Sequence, residues 1–157
     1  MSNITYKILI VEDNPADQML AQLALDQVRN GFKFDIKIAN TLAEALPLAD
    51  WADAAVVDLQ LPDSTGLDTV LAIKEQSPTL PILILSGDDN LPQIALRAGR
   101  YGVAGAIPKA STNDCLASAV AVTLGVAAAR IEADRRYRQQ LIAVDQMCAN
   151  ETASEAE

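Results

Sequence analysis

Residues 54–66 read Ala54-Ala55-Val56-Val57-Asp58-Leu59-Gln60-Leu61-Pro62-Asp63-Ser64-Thr65-Gly66, an apolar run that ends on a carboxylate and then breaks into a turn. Four apolar residues without polar alternation are the pattern of a parallel strand covered on both faces. A carboxylate pointing inward without a partner costs several kcal/mol, so Asp58 is expected to emerge where the strand ends. Pro62, Asp63, Ser64 and Gly66 supply the turn that follows. Whether Asp58 caps a loop or carries out chemistry depends on what the chain brings beside it.

Similar runs recur on both sides. Ile8-Leu9-Ile10-Val11, Ile36-Lys37-Ile38-Ala39 and Ile82-Leu83-Ile84-Leu85 read as strands, with a weaker one from Val103 to Ile107. Helical patterns separate them. Asn14-Pro15 makes an N-cap and first helical position for a helix through Met19, Leu20, Leu23 and Ala24 that stops near Asn30-Gly31. Thr41 and Glu44 form a capping box for the second helix, Gly66-Leu67 leads into a third, and Leu91 to Arg100 supplies the fourth. Ser111 caps a long fifth helix. Five strands alternating with five helices predict an α/β fold: a doubly wound, five-stranded parallel sheet of flavodoxin-like type, because right-handed crossovers put helices on both faces.

The chain has 157 residues, half of them hydrophobic, which suits one domain and a short appendage. The boundaries expected are 1–128 for the domain and 129–157 for a helical extension with an acidic tail. A net charge of −9 argues against a nucleic-acid surface. Cys115 and Cys148 lack a CxxC spacing, and the chain contains no histidine, so both read as free thiols of a cytoplasmic protein. The N-terminus reaches Glu12-Asp13 after a short apolar run and does not resemble a signal peptide. The uncharged span from Cys115 to Ala129 reads as too short and too rich in alanine to cross a membrane.

In a doubly wound sheet the functional crevice lies outside the carboxyl ends of the strands. The first strand ends in Glu12-Asp13, the third in Asp58, the fourth in Ser86-Gly87 and the fifth in Pro108-Lys109. Each piece alone has an ordinary structural use: helix N-terminal charge, a turn aspartate, a helix start, a solvated lysine. Together they are the parts for accepting a phosphoryl group. Three crowded carboxylates repel without a cation, and hard oxygen donors at this density predict Mg²⁺. Asp58 supplies a nucleophile, Lys109 a compact positive charge and Ser86 a hydroxyl.

With these residues in that order, the chain resembles the receiver (CheY-like) domains of two-component response regulators, over roughly Tyr6 to Ala127. The resemblance implies transfer from the phosphohistidine of a sensor histidine kinase or histidine phosphotransfer protein onto Asp58. It also implies Mg²⁺ held by Asp13, Asp58 and the backbone carbonyl of Gln60, with Glu12 acting mainly through water. Such a chain catalyses only its own phosphorylation and dephosphorylation. One departure stands out: the family usually carries Tyr or Phe three residues before the lysine, and here that residue is Ala106. Tyr101, at the end of the preceding helix, is the nearest aromatic. Gln60 and Asp88 flank the place from which water attacks the phosphoaspartate. The alternative is a phosphorylation-independent interaction module on the same fold. A hydrolase using an aspartyl phosphate would need a second acid at the Gln60 position.

Beyond Ser111 the helical pattern continues through Leu116, Val120, Leu124, Ala127 and Ile131. Glu132–Arg136 and Asp134–Arg138 are i,i+4 pairs in the favourable order. Gly125 costs about 1 kcal/mol relative to alanine and is a candidate break. Interleaved acids make Arg130, Arg135, Arg136 and Arg138 a solvated face. Tyr137, Leu141, Val144 and Cys148 fall at spacings of four, three and four, a short seam suited to a weak homodimer or a partner helix.

Overall fold

The computed structural model describes residues 4–27 and 32–155. Five parallel strands, β1 (Ile4–Val11), β2 (Phe32–Ala39), β3 (Ala54–Val57), β4 (Ile82–Ser86) and β5 (Gly105–Pro108), form one sheet in the order β2-β1-β3-β4-β5. Between them run α1 (Pro15–Asp26), α2 (Leu42–Ala45), α3 (Leu67–Gln76) and α4 (Leu91–Ala98), and α5 (Thr112–Ser154) closes the chain. The chain steps from β1 to β2 on one side and then to β3 on the other, so the carboxyl ends of β1 and β3 form the switch-point crevice.

Strand side chains divide by alternation between two cores. Leu9, Val11, Ala55, Val57, Ile82 and Ile84 pack with residues of α2, α3 and α4. Ile8, Ile10, Ala54, Val56, Leu83 and Leu85 pack with α1 and α5. Both faces of the sheet are therefore covered, which is why these strands carry no polar alternation.

Local details depart from expectation where two readings had equal periodicity. Helix α1 buries Ala21, Ala24 and Leu25 and leaves Met19, Leu20 and Leu23 exposed. Two alanines let the helix axis approach Ile8 and Ile10, which the longer side chains would not allow. Asn30-Gly31 lies outside the described residues. Helix α2 is one turn, because Pro47 lacks an N–H and the chain tightens into a 3₁₀ turn at Leu46–Leu48. Thr41 caps α2 through Glu44 N–H at 3.1 Å, but the Glu44 carboxylate reaches the N–H of Asn40 rather than that of Thr41. Ser111 ends a 3₁₀ turn, Lys109–Ser111, ahead of α5.

The chain divides into two compact units, Met1–Leu124 and Gly125–Glu157. In the first, Leu116, Val120 and Leu124 of α5 are buried against the sheet. The helix from Lys109 to Ser154 holds an 18-residue window of mean hydropathy 1.6, long and apolar enough by composition to cross a membrane, contrary to the sequence-based expectation. Leu116, Val120 and Leu124 of this helix are buried in the core beneath the sheet. In the second unit, the side chains of 133–155 are all exposed. Its ion pairs join Glu132 to Arg135 and Arg136; Asp134 and Arg138 form none among the described residues.

Candidate functional site

Parallel pairing brings four strand ends to one level. Val11 pairs with Val57, and the N–H of Asp58 donates to Val11 O at 2.8 Å, so Glu12 and Asp58 leave the sheet side by side. Ser86 pairs with Pro108, which sets Lys109 next in line. Lys109 Nζ then lies 2.9 Å from Glu12 Oε2, 2.8 Å from Asp17 Oδ2 and 3.0 Å from Asp58 Oδ2. One ammonium is shared by three carboxylates.

Glu12 and Asp58 are almost fully buried, while Asp13 is exposed at the mouth. Glu12 Oε1 accepts from the N–H of Asn14 at 3.0 Å. Its buried Oε2 has Lys109, 2.9 Å away, as its ion-pair partner and accepts from no backbone N–H among the described residues. Burial pushes Glu12 up to about 7; the Asn14 N–H and Lys109 hold it down, and the Asp58 charge adds to the rise. Burial also works against the Lys109 charge, yet Asp17, Glu12 and Asp58 outweigh it and raise its pKa above the ordinary value.

The loop after Asp58 is built to hold its shape. The N–H of Gln60 donates to Asp58 Oδ1 at 3.2 Å, and the Gln60 side chain is exposed. Gly66 has φ +64°, which L side chains adopt only with strain, and its N–H closes onto Leu59 O at 2.7 Å. Asp63 reaches across to accept from the N–H groups of Leu42 and Ala43, the open end of α2, and these bonds lower its pKa. Ser86 is buried; its Oγ accepts from the N–H of Asp88 at 3.1 Å, and its own proton has no protein acceptor among the described residues. A cleft of about 380 Å³ opens here, lined by Gln60, Thr65, Ser86, Asp88 and Ile94 among others.

Every strand-end residue singled out in the sequence is thus brought to this crevice. Sequence reasoning missed Asp17. The signal was available: Asn14 caps α1 through the N–H groups of Ala16 and Asp17, which fixes Asp17 in the first helical turn directly beyond the Glu12-Asp13 pair. Gln18 was also missed; its side chain donates to Glu12 O at 2.6 Å and to Asn40 Oδ1 at 2.8 Å, tying α1 to the ends of β1 and β2. Ala106 lies half-buried on β5 opposite Ile84. Tyr101 is 44% exposed in a 3₁₀ turn and does not fill the place of a ring at that position.

Residues 8–121 match the response regulator receiver domain family. The chain belongs to that family. The receiver is 29% identical over 119 residues to the glycerol metabolism activator of Pseudomonas putida, covering 73% of this chain and 52% of the relative. It is 40% identical over 86 residues to the transcriptional regulatory protein BasR of Escherichia coli (strain K12), covering 54% of this chain and 37% of the relative. It therefore spans about half or less of the length of these two relatives. A receiver domain protein (CheY-like) from Methanospirillum hungatei JF-1 has the same fold, with a TM-score of 0.70 and 20% identity over 80% of this chain and 98% of that one.

The donor set of this receiver fits a small divalent cation. One carboxylate oxygen each from Glu12, Asp13 and Asp58 lies within 4.8 Å of the others, and the nearby ammonium, that of Lys109, is shared among Glu12, Asp17 and Asp58. Hard oxygen donors of this kind suit Mg²⁺.

Proposed function

We propose that this receiver takes a phosphoryl group from the phosphohistidine of a sensor histidine kinase or histidine phosphotransfer protein onto Asp58. The observation that carries the reading is the setting of Asp58: a buried carboxylate at a strand end, with Lys109 on one oxygen, the Gln60 N–H on the other, and Ser86 at the end of the neighbouring strand β4. A carboxylate oxygen of Asp58 attacks phosphorus, the P–N bond breaks, and the imidazole leaves with the bonding electrons and takes up a proton. Lys109 is already charged and remains to neutralise the new phosphoryl oxygens. Ser86 turns its free proton toward one of them. Asp13, Asp58 and the Gln60 carbonyl would hold Mg²⁺, with Glu12 acting through water, and the bound ion would supply charge neutralisation for the phosphoryl oxygens.

In this reading residues 1–128 act as the receiver and 129–157 as a helical extension. The protein works in the cytoplasm and catalyses only its own phosphorylation and dephosphorylation. Ala106 favours a second reading, an interaction module that does not use phosphorylation, because the usual ring is missing from β5. Intact-mass measurement after incubation with acetyl phosphate separates the two. Wild type gains one phosphoryl group only with Mg²⁺, and Asp58→Asn gains none. Equal labelling of both proteins, or of neither, overturns the phosphoacceptor reading.

A further inference from the structure

The second unit carries an apolar stripe. Tyr137 is 62% exposed, Leu141 47% and Val144 54%, and Cys148 is also exposed. Their spacings of four, three and four put them within about 60° of one another around the helix, the seam of a two-helix pair. An exposed stripe of this kind marks a contact surface.

Charge decides the occupant and its direction. Residues 130–138 hold Arg130, Arg135, Arg136 and Arg138 against Glu132 and Asp134, a net +2. Residues 139–157 hold Asp145, Glu151, Glu155 and Glu157 and no basic residue, a net −4. The helix is therefore complementary to its own reverse. We propose that it pairs antiparallel with the same helix of a second copy of this chain. Leu141 then packs on Val144 of the second copy and Tyr137 on its Cys148. Arg138 lies beside Asp145 of the second copy, and by symmetry this ion pair forms twice. Parallel pairing stacks the basic stretch on itself and the acidic stretch on itself, and sets Cys148 against Cys148. Asp134 and Glu151 fall on the same stripe at its two ends, where this register sets Asp134 against Glu151 of the second copy; they limit the seam to four apolar residues per helix and keep the dimer weak. The pairing is complete within the second unit and does not depend on the phosphotransfer reading.

Sedimentation of the full chain at rising concentration tests association. Wild type forms a dimer, and Leu141→Glu with Val144→Glu weakens it about tenfold or more, with helicity checked by circular dichroism. Direction is read by disulfide trapping in a Cys115→Ser background, since Cys115 is also exposed. Oxidation leaves that protein uncrosslinked, whereas adding Tyr137→Cys yields a disulfide dimer with Cys148 of the second copy. Arg138→Glu weakens association, and Arg138→Glu with Asp145→Arg restores it. Monomers at every concentration, or a Cys148–Cys148 disulfide without the added cysteine, overturn the proposal.

Discussion

The strand-end crevice and the helix beyond Leu124 break opposite rules of a protein surface. In the crevice, Glu12 and Asp58 bury charge and share one lysine with Asp17. In the helix, Tyr137, Leu141, Val144 and Met147 hold apolar surface in water while its charges are solvated. Each arrangement is costly by itself, and each would be relieved by what we propose binds there: a cation and phosphoryl group in one, a second helix in the other. The contrast also separates the two kinds of strength. The crevice is fixed by backbone pairing from four strands, whereas the described side chains beyond Glu132 are all exposed.

The largest expected effect that would break this contrast is at Lys109. Lys109→Met removes the cation shared by three carboxylates, two of them buried, and lowers the metal-free stability by about 2–4 kcal/mol in urea unfolding. Millimolar Mg²⁺ recovers part of the loss. An unchanged unfolding midpoint without metal would mean the crevice charges are solvated like those of the helix.

Glu12 sharpens the same point through pH. Its carboxyl titrates near 4.5 when unfolded and near 7 when folded. Between those values the folded state binds more protons, so this group's contribution to metal-free stability is full below about 4.5 and is lost as pH rises through about 7. Glu12→Gln flattens that slope in unfolding midpoints measured across the range. Because a cation requires the charged form, Mg²⁺ affinity rises as pH increases through about 7 in wild type. A slope that survives Glu12→Gln assigns the titration to another group.

The smallest effect lies in the other region. A Cβ at Gly125 meets nothing within 4 Å, and the residue is helical. Gly125→Ala therefore stabilises the helix by about 0.5–1 kcal/mol in thermal melts followed by circular dichroism. A loss of stability would show that the helix breaks between the two units.

Most of the fold was legible because buried parallel strands leave unbroken apolar runs: three such runs, with the Lys37-interrupted run and a weaker fifth, had the order that sets Glu12, Asp58, Ser86 and Lys109 at one edge. Asp58 was readable since its carboxylate follows four apolar residues. What was not legible depended on a choice between equal periodicities. Met19-Leu20-Leu23 and Ala21-Ala24-Leu25 both fit a helix face, and only the close approach to Ile8 and Ile10 selects the small residues. Asp17 escaped because its role depends on the reach of a lysine 92 residues away. Asp134 and Arg138 had favourable spacing, yet spacing alone supplies little where both side chains are fully solvated.

The central claim is that Asp58 is the phosphoacceptor, and a positional measurement tests it most directly. An aspartyl phosphate is an acyl phosphate, which borohydride reduces to the alcohol, turning the modified residue into homoserine. The receiver, phosphorylated in Mg²⁺ by a histidine-phosphorylated donor and then reduced, is digested and sequenced by mass spectrometry. Homoserine at position 58 and at no other aspartate is the result the account predicts; homoserine at Asp13 or Asp17, with position 58 unchanged, would contradict it.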